Sequence, residues 1–66
     1  MVVCVNGSKR EVSEGMMLRS MLEELRLRQG SIVIELNKSI VDKKAYSNVQ
    51  LKAHDVLEIV HFVGGG

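Results

Sequence analysis

The three glycines at the carboxyl end, Gly64-Gly65-Gly66, directly follow the apolar run from Val56 to Val63. A terminal glycine segment frays and adds nothing to a hydrophobic core. A segment without Cβ atoms can, however, enter a channel too narrow for other residues. We therefore expect this tail (residues 63–66) to present the carboxylate of Gly66 to an enzyme that activates carboxylates. A linker remnant or a disordered end is the alternative.

Cysteine and histidine are the other residue types here that could do chemistry. Cys4 has no histidine or lysine beside it in sequence that would activate its thiol. We therefore expect Cys4 to pack as a small apolar side chain and to take no part in chemistry. His54 and His61 are separated by six residues and have no third ligand nearby in sequence, which argues against a metal site. We expect no catalytic side chain and no bound metal.

The composition argues against two classes of partner. The net charge is +1 and the aromatic residues are one Phe and one Tyr, so neither a basic footprint nor a base-stacking platform for nucleic acid is present. No apolar stretch is long enough to cross a membrane. A single cysteine and the absence of an export signal lead us to expect a cytoplasmic protein.

The pattern along the chain predicts a single domain over residues 1–66. Asn6-Gly7 between two strand-like runs, Met1 to Val5 and Lys9 to Val12, predicts a hairpin. An apolar stripe at helical spacing predicts a helix from about Met17 to Arg28, with Gly30 as its C-terminal stop.

The second half of the chain contains further strand signals. Alternation predicts a strand at residues 32–36, and Asn37-Lys38-Ser39 a turn before a short extended piece at Ile40-Val41. Tyr46 should anchor the polar segment 42–50 to the core, and the last strand should cover residues 56–63. This order predicts an α+β fold of the β-grasp type, a mixed sheet wrapped around one helix with the first and last strands at its centre.

The last strand also predicts an exposed apolar surface. If Leu57 and Ile59 face the helix, Glu58, Val60 and Phe62 must face outward, on the side of the sheet that Val33 and Cys4 share. An apolar patch beside a reactive tail is typical of a docking surface, so Val60, Phe62 and Val63 are our candidate docking residues. The alternative is that the chain's own loops partly bury this face.

With these features, the chain resembles the ThiS family of thiamine-biosynthesis sulfur carriers. The matching segments span nearly the whole chain: Val3 to Gly7, the helix from Leu18 to Leu25, Leu36-Asn37 with Ile40-Val41, and residues 55–59 leading to Phe62-Val63-Gly64-Gly65-Gly66. Two positions depart from the family pattern. Ala53-His54-Asp55 replaces a turn that usually contains glycine, and Met16-Met17 replaces a threonine N-cap, which should leave early helix amides uncapped at a cost of about 0.5–2 kcal/mol.

The resemblance implies a carrier acted on by partner enzymes. A ThiF-like adenylyltransferase would use ATP to convert the carboxylate of Gly66 into an acyl-adenylate. Sulfur, ultimately from a cysteine desulfurase, would convert this into a thiocarboxylate, and a ThiG-like thiazole synthase would take up the sulfur. Gly64, Gly65 and Gly66 would form the tail, and the carrier would bind no cofactor of its own.

Three other functions remain open from the sequence. The chain could be a sulfur carrier of the molybdopterin pathway (MoaD-like), although such chains are usually longer and often have a proline before the tail. It could be a β-grasp interaction module whose tail is incidental. It could also be conjugated to lysine through Gly66, as ubiquitin is.

Overall fold

A computed structural model describes residues 1–62, which form a mixed sheet with one helix on one face. The strands are β1 (Val2–Val5), β2 (Ser8–Glu11), β3 (Ile32–Leu36), β4 (Ser39–Ile40) and β5 (Val56–His61). The helix is α1 (Leu18–Glu24), and single 3-10 turns cover Gln29–Ser31 and Lys43–Ala45. The strand order is β2-β1-β5-β3-β4. The predicted β-grasp arrangement is confirmed.

The hairpin and the centre of the sheet follow the prediction closely. Asn6 and Gly7 have φ of 49° and 83°, and a type I′ turn needs positive φ at both positions. β1 lies parallel to β5, with Cys4 opposite Val56, so the first and last strands are adjacent at the sheet centre. β2 and β4 each begin one residue earlier than predicted.

The hydrophobic core lies between the helix and the inner face of the sheet. Leu18, Met21 and Leu22 of the helix stripe are fully buried, while Leu25 is partly buried against them. The sheet contributes alternate residues, which is what a strand with one buried face requires. These buried residues are Val3, Ile32, Ile34, Leu57 and Ile59.

The helix begins without a side-chain cap, as predicted, but its first amides are not left without partners. Met17 is the N-cap residue and makes no capping hydrogen bond through its side chain. The N–H of Leu18 instead donates to the carbonyl of Val49 at 2.8 Å, and the N–H of Arg19 donates to the carbonyl of Tyr46 at 3.2 Å. The expected cost of uncapped amides was therefore wrong for these two groups, because backbone carbonyls distant in sequence accept their hydrogen bonds.

The helix ends at Glu24, four residues before the predicted end at Arg28. Arg26 adopts φ of 58°. The N–H of Leu27 donates to Leu22 O, and the N–H of Arg26 donates to Glu23 O, both at 3.0 Å. This pair of bonds is a Schellman motif with Arg26 in the position usually taken by glycine. The prediction that Gly30 ends the helix was therefore wrong. Arg26 adopts the left-handed conformation that ends it, and Leu27 packs against the core.

The segment between β4 and β5 is anchored as predicted. Tyr46 is 2% exposed, and burial, together with the nearby Asp42 carboxylate, raises the pKa of its phenol above the ordinary value. The Asp42 side chain accepts a hydrogen bond from the N–H of Lys44 and starts the 3-10 turn. The loop therefore packs firmly enough for Tyr46 and Val49 to serve as the acceptors at the helix start.

Candidate functional site

β5 is the strand that leads to the predicted tail, and neighbours hold it on both sides. β1 pairs with it in parallel as far as Leu57. β3 pairs with it antiparallel over the longer range from Leu36 opposite Leu57 to Ile32 opposite His61. The N–H of Phe62 extends this ladder by donating to Ser31 O at 3.1 Å. Val63, Gly64, Gly65 and Gly66, which include the predicted reactive carboxylate, lie outside the described residues.

Asn6 continues the hydrogen bonding of β1 after that strand has ended. Its backbone N–H donates to Leu57 O at 2.9 Å. Its side-chain Oδ1 accepts from the N–H of Ile59 at 2.7 Å, and its Nδ2 donates to Ile59 O at 3.2 Å. The side-chain amide thus makes the two hydrogen bonds that a further residue of β1 would make. It holds β5 at Ile59, two residues before the strand ends at His61.

A second asparagine holds the other end of β5. Asn37 Oδ1 accepts from the N–H of Val56 at 2.9 Å, and Asn37 Nδ2 donates to Asp55 Oδ1 at 3.1 Å. Asp55 Oδ2 in turn accepts from the N–H of Lys52 at 2.7 Å. Because Asp55 is nearly buried, these bonds satisfy a carboxylate that would otherwise be costly. Turn residues therefore hold β5 at its first residue, Val56, and again at Ile59.

The outward-facing residues of β5 lie where the period of two predicts. Leu57 and Ile59 are buried, whereas Val60 is 59% exposed. Val33 lies directly opposite Val60 on β3 and is also exposed. The two valines form an apolar pair on the outer face of the sheet, and both are left exposed by the loops within residues 1–62. This arrangement supports the proposed docking role of Val60, which stays a prediction.

Phe62 is exposed to a smaller extent than Val60 and has a cation beside its ring. Its exposed fraction is 39%, and Lys43 Nζ lies 5.5 Å from the ring centroid. The same ammonium donates to Gly30 O at 3.0 Å, which holds it in place. The loop thus covers part of Phe62 and leaves the rest of its ring open to a partner.

Two glutamates lie next to the valine pair, and this juxtaposition was not predicted from the sequence. Glu35 and Glu58 face each other directly across β3 and β5, and both are exposed. Ile40 of β4 is opposite Glu35 and is 72% exposed. Alternation could have placed each glutamate on the outer face, but only the register of the two strands brings them together. We call these five residues, Val33, Glu35, Ile40, Glu58 and Val60, the outer-face patch.

The remaining candidate residues lie apart from one another. Cys4 is half-buried on β1, and the hairpin register places Lys9 opposite it, a neighbour that is not adjacent in sequence. His54 is in a turn with φ of 70°, as expected for a residue in a position that favours glycine. His61 is exposed near the end of β5. Within residues 1–62, no three His, Cys, Asp or Glu side chains are close enough to hold a metal.

No helix in the described part of the chain has both the length and the apolar character needed to span a membrane.

Comparison with known proteins supports the family resemblance. The ThiS family model matches residues 3–66 of this chain. The sulfur carrier protein ThiS of Bacillus subtilis is 43% identical over 49 residues, which cover 74% of each chain. The thiazole synthase of Paramagnetospirillum magneticum is 38% identical over all 66 residues, and this chain spans only 20% of that protein's length.

Solved structures give the same result. The crystal structure of the thiamine biosynthesis protein (ThiS) from Geobacter metallireducens superposes with a TM-score of 0.85 at 29% identity, and the match covers 100% of both chains. The likeness therefore includes the ubiquitin-like β-grasp fold over the whole of both chains. The chain belongs to the ThiS family of sulfur carrier proteins.

Proposed function

We propose that the carboxylate of Gly66 carries sulfur for thiazole formation in thiamine biosynthesis, first as an acyl-adenylate and then as a thiocarboxylate. The observation that supports this most is the match of the ThiS family model through residue 66, which includes the three tail glycines. Asn6 and Asn37 hold the backbone of β5, the strand that precedes these residues in the sequence.

Activation of the carboxylate is the first step of the proposed reaction. A carboxylate is a poor electrophile, so a ThiF-like adenylyltransferase would direct one carboxylate oxygen onto the α-phosphorus of ATP. A new P–O bond forms, pyrophosphate leaves, and the acyl-adenylate has AMP as a good leaving group. ATP belongs to the partner in this scheme, and the carrier itself holds no cofactor.

Sulfur replaces AMP in the second step. The terminal sulfur of a persulfide, generated by a cysteine desulfurase, would attack the acyl carbon and expel AMP, which leaves an acyl disulfide. A second thiol would then attack the donor's sulfur and release the thiocarboxylate, while the two thiols remain as a disulfide. The carrier supplies no general acid or base in either step, so the catalytic side chains belong to its partners.

The recipient of the sulfur is proposed to be a ThiG-like thiazole synthase. Two proteins named thiazole synthase, from Paramagnetospirillum magneticum and Magnetococcus marinus, match all 66 residues of this chain over 20% of their own length. A segment similar to this carrier thus occurs within chains of that name. Such proteins support a direct partnership between carrier and synthase. We also propose that the carrier acts in the cytoplasm together with these enzymes.

Pyrophosphate exchange tests the proposed activation step. The protein is incubated with ATP, labelled pyrophosphate and its cognate adenylyltransferase, and label entering ATP is measured. Deletion of Gly66, or addition of one residue after it, should abolish exchange while circular dichroism shows an intact fold. Normal exchange by either variant would contradict the proposal. Transfer to lysines of other proteins, detected as higher-mass conjugates, would instead favour a ubiquitin-like role.

A further inference from the structure

The outer-face patch has a charge pattern that the fold itself does not explain. Glu35 and Glu58 are directly opposite on paired strands, where Cβ atoms are about 5 Å apart, and like charges in this position destabilise a sheet. Within residues 1–62, the ion pairs are Met1–Glu11 and Arg19–Glu23, so neither Glu35 nor Glu58 has a cation of its own. Neither carboxylate accepts a hydrogen bond from another residue in this part of the chain.

Apolar side chains flank the two carboxylates on both sides. Val33 and Val60 form the neighbouring row toward the tail, and Ile40 lies beside Glu35 on β4. All three are exposed, with Ile40 at 72% and Val60 at 59%. A carboxylate pair surrounded by apolar surface loses competing water when a partner covers it, and its attraction for a cation then becomes stronger. The patch therefore has the composition of an interface with a charged centre.

The position of the patch indicates which partner covers it. Val60 is two residues before Phe62, and Phe62 is the last described residue before the tail. An enzyme that holds the end of the tail must lie against this end of the sheet. Of the proposed partners, the adenylating enzyme is the one that must recognise the free carrier before any sulfur is attached. It is the occupant to which we commit.

We infer that Glu35 and Glu58 together bind one arginine side chain on the docking face of the adenylating enzyme, with Val33, Val60 and Ile40 packed around it. This inference rests on the proposed function. Arginine fits better than lysine because its planar guanidinium has five donors in a fork and can bridge two carboxylates. The mutual repulsion of the glutamates in the free carrier is relieved only in the complex.

Opposite effects on stability and on binding separate this role from a structural one. The double variant Glu35→Gln/Glu58→Gln removes the repulsion, so its urea midpoint should be higher than that of the wild type. In pyrophosphate exchange with the adenylating enzyme, the same variant should raise KM for the carrier about five- to tenfold and leave kcat unchanged, since the tail is intact. Glu24→Gln removes an exposed charge from the helix, away from the patch, and is the control expected to keep the wild-type KM.

Salt dependence and a charge reversal complete the test. KM for the wild-type carrier should rise with sodium chloride, and the double variant should show a flatter dependence. Glu58→Lys can pair with Glu35 within the carrier, so it should be the most stable of the set and the weakest substrate. An unchanged KM in both variants, with normal exchange by the wild type, overturns this inference alone. Absence of exchange by the wild type overturns the proposed function and this inference with it.

Discussion

Asn6 and Ile59 are joined by two hydrogen bonds that the Asn6 side chain makes to the Ile59 backbone, at 2.7 Å and 3.2 Å. Asn6 occupies a left-handed turn position, with φ of 49°. The same residue therefore closes the β1–β2 hairpin and holds the strand that leads to the tail. A local turn signal in the sequence thus has a second, long-range role that turn propensity alone does not reveal.

Replacing Asn6 should measure both of its roles. Asn6→Gly keeps the positive φ without steric cost and loses the two side-chain hydrogen bonds, each of which contributes about 0.5–1.5 kcal/mol. Asn6→Ala loses the same bonds and keeps a Cβ in the left-handed region without the polar side chain that lets asparagine adopt it, so it should be less stable than the glycine variant, in which the strain of about 1–2 kcal/mol is absent. Urea unfolding should therefore rank the proteins wild type, Gly, Ala in decreasing stability. Equal midpoints for wild type and the Gly variant would show that the bonds to Ile59 contribute nothing.

Replacing His54 by glycine should stabilise the turn before β5. His54 has φ of 70°, and its backbone N–H donates to Val2 O at 2.7 Å, which a substitution leaves in place. His54→Gly relieves the left-handed strain of about 1–2 kcal/mol but adds roughly 0.5–1 kcal/mol of unfolded-state entropy. The thermal midpoint should rise modestly. His54→Ala keeps the strain and is the control. A glycine variant no more stable than the alanine variant would contradict this explanation of the turn.

Truncation of Phe62 should impair partner binding more than folding. Phe62 is 39% exposed and has Lys43 Nζ beside its ring, so Phe62→Ala removes a half-covered side chain at the sheet surface and should lower stability less than truncation of a core residue, with a cooperative melt retained. Aromatic anchors at interfaces often contribute about 2 kcal/mol or more, so adenylation at sub-saturating carrier should fall markedly.

Ile59→Ala serves as the contrast to Phe62→Ala, because Ile59 is 6% exposed and its truncation should cost about 2–5 kcal/mol of stability. Melting followed by circular dichroism and adenylation titrations on both variants separate folding from binding. A folded Phe62→Ala protein with an unchanged titration would rule out the docking role.

Cys4 should be dispensable for sulfur transfer. It pairs with Val56 at the start of β5, and the six residue steps from Val56 to Phe62 span about 20 Å of strand. Lys9 lies opposite Cys4, and the positive charge of a lysine can activate a neighbouring thiol, so the role of this pair requires a test. Cys4→Ser should support thiazole formation at nearly the wild-type rate in a reconstituted assay, with Lys9→Met as a companion variant. Loss of most activity in a folded Cys4→Ser protein would assign the thiol a direct role.

The parts of the fold that the sequence predicted are those set by local patterns. Asn6-Gly7 indicated the hairpin through its demand for positive φ, and the strand period placed Leu57 and Ile59 inside and Val60 outside. The helix boundaries were less predictable because they depend on partners distant in sequence. The carbonyl of Val49 accepts a hydrogen bond from the start of the helix, and the left-handed Arg26, followed by the partly buried Leu27, ends the helix before Gly30.

The candidate site shows the same division between local and long-range information. The outward orientation of Glu58 followed from the alternation along its own strand. Its position opposite Glu35 did not, because the register between β3 and β5 is determined by the packing of both strands against the helix. Similarly, the lysine opposite Cys4 became visible only through the hairpin register.

Intact mass spectrometry of the carrier tests the central claim most directly. The protein is incubated with ATP, its adenylyltransferase, a cysteine desulfurase with cysteine, and a reducing thiol, and the C-terminal peptide is then sequenced by fragmentation. The account predicts a mass increase equal to one sulfur replacing one oxygen, located on Gly66 and absent when ATP is omitted. Sulfur found on Cys4 as a persulfide, with an unmodified Gly66, would contradict it.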